Sequence, residues 1–187
     1  KISAGYRLSY PDEKLFTFYL DEFETKLFDL PEGVYTCLIE NEDCEEQILT
    51  PGIDDEIFSR TKVPMTKNEV RVLSISRLEL TKNAVVYDVG SGTGSVSIEC
   101  ARLSPDIFVF AIEQKEEAAN LTKENAVRLG LSDQIVVINK KAPEGFEELP
   151  TPTHVFIGGS SGALSDILSA IQKKLIVKEN TKGKTDK

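Results

Sequence analysis

Apolar positions along the chain follow two different patterns. In the first forty residues they form two short runs, Leu15-Phe16-Thr17-Phe18-Tyr19-Leu20 and Val34-Tyr35-Thr36-Cys37-Leu38-Ile39. Both are rich in aromatic or β-branched residues and predict strands, with a short helix over residues 22–28 between them. Two strands and a helical turn bury too little to fold alone, so this segment needs a partner. From Gly52 onward the pattern becomes regular. Thr66-Lys67-Asn68-Glu69 has the spacing of a capping box and opens a helix with Val70, Leu73, Arg77 and Leu80 along one side. A short run at 84–89, apolar but for Asp88, predicts a strand covered on both faces, and further strands are predicted over 107–112, 135–138 and 154–157. Helices are predicted over 95–103, over 115–129 with Gly130 as the stop, and over 163–174. Strands alternating with helices of this length make βαβ units. The expected class is α/β: a mostly parallel, twisted sheet with helices on both faces and right-handed crossovers.

Composition narrows the functional class. The 187 residues are 40% hydrophobic and 28% charged, enough to bury a core. A net charge of −9 counts against nucleic acid or an anionic membrane as a partner. No apolar run approaches the ~18 residues of a membrane span, and no signal peptide opens the chain. There is no initiator Met, so Lys1 is not read as a natural start. Three cysteines without a C-x-x-C pair and a single histidine argue against a disulfide framework and a metal site, and fit a reducing cytoplasm. Charge also marks boundaries. Residues 40–56 hold eight acids and no base and read as a solvated linker, while 173–187 hold six lysines against two acids and read as a disordered tail. The expected division is 1–47 with the acidic linker, a domain over 48–176, and a Lys-rich tail over 177–187.

The stretch that carries chemistry is Val85-Val86-Tyr87-Asp88-Val89-Gly90-Ser91-Gly92-Thr93-Gly94-Ser95-Val96-Ser97-Ile98-Glu99. A buried strand runs into three alternate glycines and then a helix. Glycines let a ligand approach the main chain, and the helix beyond presents unpaired N–H groups and a positive dipole end. The dinucleotide fingerprint G-x-G-x-x-G would place its third glycine at Ser95, whereas here it comes one residue earlier, at Gly94. This G-x-G-x-G spacing after a strand with an acid near its end resembles the first motif of class I S-adenosylmethionine (SAM) methyltransferases. A second element is Glu113, closing Phe110-Ala111-Ile112-Glu113. A carboxylate there can accept two hydrogen bonds from a ribose diol. SAM has a ribose and no phosphate, so it suits both features. Asp88 has two readings, a brace for the turn or a contact to the cofactor ammonium.

Read together, Val63-Pro64-Met65-Thr66-Lys67, the 88–99 stretch, Ala142-Pro143-Glu144 and Phe156-Ile157-Gly158-Gly159-Ser160-Ser161-Gly162 give a more specific match. Over residues 52–174 the chain resembles the decarboxylating precorrin-6Y/cobalt-precorrin-6B methyltransferases of cobalamin biosynthesis. Arg7-Leu8-Ser9-Tyr10-Pro11-Asp12-Glu13-Lys14 and residues 34–41 look like the end of a tetrapyrrole methylase domain. That enzyme is fused to the first in some organisms. The resemblance implies a Rossmann-like SAM methyltransferase fold, incomplete at its C-terminal end. It implies transfer of a methyl group to a meso carbon of a corrin precursor, with loss of an acetate carboxyl as carbon dioxide. It implies SAM lined by Thr66, Gly90, Ser91, Gly92, Thr93, Gly94, Glu113 and Ala142. It also places Gly158 and Gly159 beside the reacting centre. A cytoplasmic homo-oligomer is expected. No residue is assigned to the decarboxylation.

The substrate's carboxylates need cations. Arg60, Lys62, Lys67 and Arg71 cluster around the Pro-Met-Thr loop and are read as substrate anchors or as ordinary helix-start charge. Two departures from the family pattern stand out. Lys140-Lys141 occupies positions where the family has Gly-Asp, and lysine cannot accept a hydrogen bond from adenine. Only four strands are predicted after Gly52 against the family's seven, with Leu175-Ile176-Val177 at most the stub of a fifth. His154 is read as a strand-edge residue or a general base, Cys100 as core, and Met65 as a cofactor contact or a staple of the helix entry. Other readings are a SAM methyltransferase with a different substrate, a nicotinamide-dependent dehydrogenase, and a non-catalytic fragment of the same fold.

Overall fold

The computed structural model describes residues 1–41 and 50–182. Four of the eight acids of the expected linker, and the lysines after 182, lie outside the described residues. Contacts divide the chain into two compact units, Lys1–Ile48 and Leu49–Lys187.

The first unit is a three-stranded antiparallel sheet in the order β2-β1-β3, with β1 at Ile2–Tyr6, β2 at Lys14–Phe18 and β3 at Tyr35–Ile39. A short helix, α1 (Phe23–Leu27), joins β2 to β3. Two strands were expected, and the one missed is the central one. Its sequence, Ile2-Ser3-Ala4-Gly5-Tyr6, has small residues where an apolar run would be legible. Ile2 and Ala4 are nevertheless buried, with Phe18, in the core of this unit.

The second unit is a parallel sheet between two layers. Its strands are β4 (Val85–Val89), β5 (Phe108–Ile112), β6 (Ile135–Ile138) and β7 (His154–Ile157), in the order β6-β5-β4-β7. The helices are α2 (Asn68–Leu78), α3 (Ser95–Arg102), α4 (Glu116–Arg128) and α5 (Leu164–Lys182). Side-chain alternation sorts each strand between two cores. Val86, Val109 and Ala111 join Ile75, Ile98, Cys100 and Ala126 on one face. Tyr87, Val89 and Ile112 join Phe146 and Ile167 on the other. The connection from β6 to β7 contains a single 3-10 turn, Phe146–Glu148, instead of a helix. It is held by Phe146 packed edge-on against Tyr87 at 5.1 Å, and by the Tyr87 hydroxyl donating to the Pro150 carbonyl at 2.8 Å.

Four expectations change here. The segment after residue 50 is fastened to the domain, not a solvated linker. The Gly52 and Ile53 N–H groups donate to the buried Glu99 carboxylate at 2.9 and 2.8 Å. The capping box does not form: Lys67 is the N-cap of α2, without a side-chain cap. Asn68 instead reaches back to the carbonyls of Gly52 and Ile53, and the Thr66 carbonyl takes a bond from Arg71. The expected apolar side of α2 is also misplaced. Val70 and Leu73 are 57% and 61% exposed, whereas Arg71 and Ile75 are buried. Finally, Leu175 and Ile176 belong to α5, which runs to Lys182, and not to a strand. The apolar positions Ile167, Ile171 and Leu175 keep helical spacing, so the run continues the helix.

Candidate functional site

Strand order places the site. Chain progress from β4 to β5 to β6 moves one way across the sheet, and β7 then returns to the other side of β4. A crevice opens at the carboxyl ends of the strands where the direction reverses. A cavity of about 230 Å³ lies there. Val89, Gly90 and Gly92 line it from β4, Ile112 and Glu113 from β5, Lys140, Lys141 and Ala142 from the segment after β6, and Gly158 and Gly159 from β7. Val63, Pro64, Gln114, Lys115, Ala118, Ser160 and Ser161 complete the lining. The volume falls below the ~300–1,000 Å³ of pockets that enclose a whole drug-sized ligand. A nucleoside would fill it, with the rest of a larger ligand outside.

The glycine turn is tight for a reason visible in its neighbours. Gly90 has φ +77°, and a Cβ there would lie 2.7 Å from the backbone N and O of Gly159. At Gly92, with φ +60°, a Cβ would meet the Pro64 carbonyl at 2.9 Å. The turn is therefore wedged between β7 and the Pro64 loop, and side chains are excluded on both sides. Its N–H groups are mostly used within the fold. Gly90 and Ser91 donate to the Ile112 carbonyl, Gly92 to Glu113, and Gly94 to the Ser91 carbonyl. The expected cradle of free donors is thus largely absent, and a diphosphate would find few partners. The turn offers close approach rather than anion binding.

Glu113 lines the cavity and is 8% exposed. One carboxylate oxygen accepts the Gly92 N–H at 3.1 Å, the other the Lys115 N–H at 2.8 Å. Two such bonds fix the carboxylate plane while leaving each oxygen a further lone pair. Asn139 braces the same residue by donating to its carbonyl at 2.8 Å.

Asp88, one strand over, is buried and faces α3. One oxygen accepts the Ser97 N–H at 3.1 Å and the Ser97 hydroxyl at 2.6 Å. Gly94, the N-cap of α3, has no side chain to cap with, so Asp88 supplies the acceptor from the preceding strand. Of its two readings, these contacts are those of the turn brace. Burial pushes its carboxyl up to about 6, against the lowering effect of the Ser97 bonds, and Glu113 adds a smaller rise.

A polar scaffold behind the turn was not legible in the sequence. The Arg71 guanidinium, 0% exposed, donates to Glu99 at 3.1 Å, to Asp55 at 3.0 Å, to the Thr66 carbonyl at 2.8 Å and to the Ile53 carbonyl. It also lies over the Phe58 ring, 4.8 Å from its centre. Burial works against ionisation of Asp55, but the bonds from Arg71 and Lys67 outweigh it and hold the carboxyl below its usual range. This cluster fixes both ends of the 52–66 segment, and with it the Val63-Pro64 loop over Gly92. On the other side, Asn125 is fully buried and bridges Ser59 to the Thr93 carbonyl. The Thr122 hydroxyl donates to the Gly92 carbonyl at 3.1 Å.

The predicted residues divide accordingly. Gly90, Gly92, Glu113, Ala142, Gly158 and Gly159 line the cavity; Thr66, Ser91, Thr93 and Gly94 shape the turn and its supporting loop from behind. Arg71 is a correction: it is a buried structural cation, with no donor facing the cavity mouth. Arg60, Lys62 and Lys67 are on the surface and do not line the cavity, and Lys67 is paired with Asp55 at 3.3 Å. The cations that do line it are Lys115, Lys140 and Lys141. Gln114, which the sequence did not single out, donates to the Ser161 hydroxyl at 2.6 Å, linking the β5 and β7 sides of the cavity. His154 begins β7, at the end of the sheet away from the cavity, and shares a 2.8 Å bond with the Thr153 hydroxyl. Cys100 is buried in the core, and Met65 packs against that core.

Comparison with known proteins adds an independent line. Residues 56–180 match the family model described as a precorrin methyltransferase domain. A relative from Pyrobaculum calidifontis, named "Probable cobalt-precorrin-6B C(15)-methyltransferase (decarboxylating)", is 44% identical over 128 residues, covering 67% of this chain and 66% of its own length. The chain thus spans slightly less than two thirds of that relative. Among solved structures, a precorrin-6Y C5,15-methyltransferase from Geobacter metallireducens superposes with a TM-score of 0.63 at 37% identity, over 67% of this chain and 65% of that one. The C-terminal domain of precorrin-6Y C5,15-methyltransferase from Rhodobacter capsulatus gives 0.59 at 30%, over 66% of each chain. Among the described residues, no helix is long and apolar enough to cross a membrane.

Proposed function

The chain belongs to the precorrin methyltransferase domain family, and from that premise we propose that it is part of a SAM-dependent C-methyltransferase acting on a corrin precursor. The reaction would methylate a meso carbon of the macrocycle and release an acetate carboxyl as carbon dioxide. The observation that carries this reading is a single cleft joining a braced carboxylate, Glu113, to two glycine turns, at Gly90–Gly92 and Gly158–Gly159. The donor set fits SAM: Glu113 would hold the ribose diol, while the scarcity of free N–H groups disfavours a nicotinamide dinucleotide.

SAM bound here would supply an electrophilic methyl group on a sulfonium. The chain's own task is placement. Glu113 fixes the sugar, and the bare main chain at Gly90 and Gly92 lets the cofactor lie against β4. Gly158 and Gly159 leave the neighbouring space free for the flat substrate. Holding donor and acceptor in line within a confined cleft is the principal means of accelerating an already activated transfer. Lys115, which lines the same cleft, takes over the role expected of Arg60, Lys62, Lys67 and Arg71 as the cation for a substrate carboxylate. The 1–47 segment is read as the end of a tetrapyrrole methylase domain, in keeping with its three small strands and its separate contacts. A cytoplasmic location is part of the same proposal.

Calorimetry with S-adenosylhomocysteine and with NAD tests the cofactor: the first should bind and the second should not. Incubation with SAM and the reduced, anaerobic precursor tests the reaction. Equal release of carbon dioxide and gain of one methyl per turnover is the expected result. Binding of NAD in preference to the sulfur nucleoside would overturn the reading.

A further inference from the structure

The strand order fixes which part of a nucleoside ligand meets which residues. With its ribose on Glu113 at the end of β5, the ligand has two directions open to it. Toward β4 and β7 lie the glycine turns and the polar loop at Ser160–Ser161. Toward β6 lie Ile112, Ala118 and Ala142, which form the apolar surface a purine ring would stack on. The base therefore sits at the β5–β6 side, and its hydrogen-bonding edge faces the segment just before Ala142.

That side of the cavity has cations and no acid. Among the residues lining the whole cavity, Glu113 is the one carboxylate, and the ribose occupies it. Lys115 and Lys141 line the cavity, are exposed, and form no side-chain hydrogen bond or ion pair with any described residue. Lys140 is different: its ammonium is directed to Glu148 at 3.8 Å. An adenine presents a 6-amino donor on its edge. A lysine ammonium is donor-only, so it cannot recognise that group. It can donate to an oxygen at the same ring position, or to a ring nitrogen. We propose that Lys141 sets the base specificity of this site, leaving it without selection for the 6-amino group and tolerant of a 6-oxo purine in the cofactor. The inference rests on the SAM reading above and deepens it.

The test is calorimetric titration of the full chain with S-adenosylhomocysteine and with S-inosylhomocysteine, which differ only at the 6-position. The wild-type protein should bind the inosyl compound at least as tightly as the adenosyl one, and up to about tenfold tighter, since the ammonium gains a charge-assisted bond to the 6-oxo group and none to the 6-amino group. Lys141→Asp should favour the adenosyl compound by at least about tenfold, as an acceptor then faces the amino group and repels the oxo group. Lys141→Ala, which adds no new group, should weaken the inosyl compound more than the adenosyl one. Lys141 is exposed, so neither substitution threatens the fold. Tenfold or greater preference of the wild type for the adenosyl compound would overturn the proposal and leave the cofactor reading intact. Near-equal binding that Lys141→Asp leaves unchanged would remove Lys141 from the role. Binding of neither compound would overturn the SAM reading itself.

Discussion

The two sides of the cavity are built on opposite principles. Behind the glycine turn, nearly every polar group is buried and answered: Arg71 by Glu99 and Asp55, Asn125 by Ser59 and Thr93, Asp88 by Ser97. At the β5–β6 side, Lys115 and Lys141 stand exposed, with no partner among the described residues. The first side sets geometry before any ligand arrives, which lowers the cost of ordering it on binding. The second contributes donors whose partners a ligand must bring. Substitutions on the two sides should accordingly fail in different ways, by loss of stability on one and by changed selectivity on the other.

The largest effect is expected at Arg71. Arg71→Ala leaves Glu99, 1% exposed, without its main cation, and breaking a buried pair in this way costs about 3–5 kcal/mol. Urea denaturation should show it directly; a loss below about 1 kcal/mol would mean that the cluster is not the support described. Next comes pH. Asp88 has a folded-state pKa of about 6, above the ordinary carboxylate value, so the folded protein binds its proton more tightly than the unfolded chain. Stability should therefore fall as pH rises from about 4 to about 6 and level off above, by roughly 3 kcal/mol at most from this group. Asp88→Asn should flatten that slope in denaturation curves taken across the range. A third step is Glu113→Ala, which removes the diol's acceptor. The expected loss is ~1.5–3 kcal/mol in binding of S-adenosylhomocysteine, hence roughly ten- to a hundredfold in affinity by calorimetry. The smallest effect is at Lys62, exposed and outside the cavity lining. Lys62→Ala should change neither stability nor nucleoside affinity by more than about 0.5 kcal/mol.

The same contrast explains what the sequence disclosed. Residues 108–112 are a continuous apolar run, and 85–89 are apolar but for Asp88, because both faces of the sheet are covered, so the strands and the crevice at their ends could be read directly. Gly90, Gly92 and Glu113 were legible because close approach and diol binding each demand a particular residue type. The scaffold was hidden because it depends on long-range pairing: Arg71 meets Glu99 across 28 positions, and Asn125 meets Ser59 across 66. Arg71 looked like a surface cation because its neighbours Val70 and Leu73 mimic a buried stripe while facing outward. The Thr66-to-Glu69 spacing suggested a capping box, yet Asn68 and the Thr66 carbonyl were already taken by residues 52, 53 and 71. Strand β1 went unseen because its buried positions include an alanine and its fourth residue is glycine.

A crystal structure with S-adenosylhomocysteine bound tests the central claim most directly. The account predicts both ribose hydroxyls within hydrogen-bonding distance of the Glu113 carboxylate, the purine between Ile112, Ala118 and Ala142, and the sulfur beside Gly90. A nucleoside bound elsewhere, or a ribose turned away from Glu113 with the cavity empty, would contradict it.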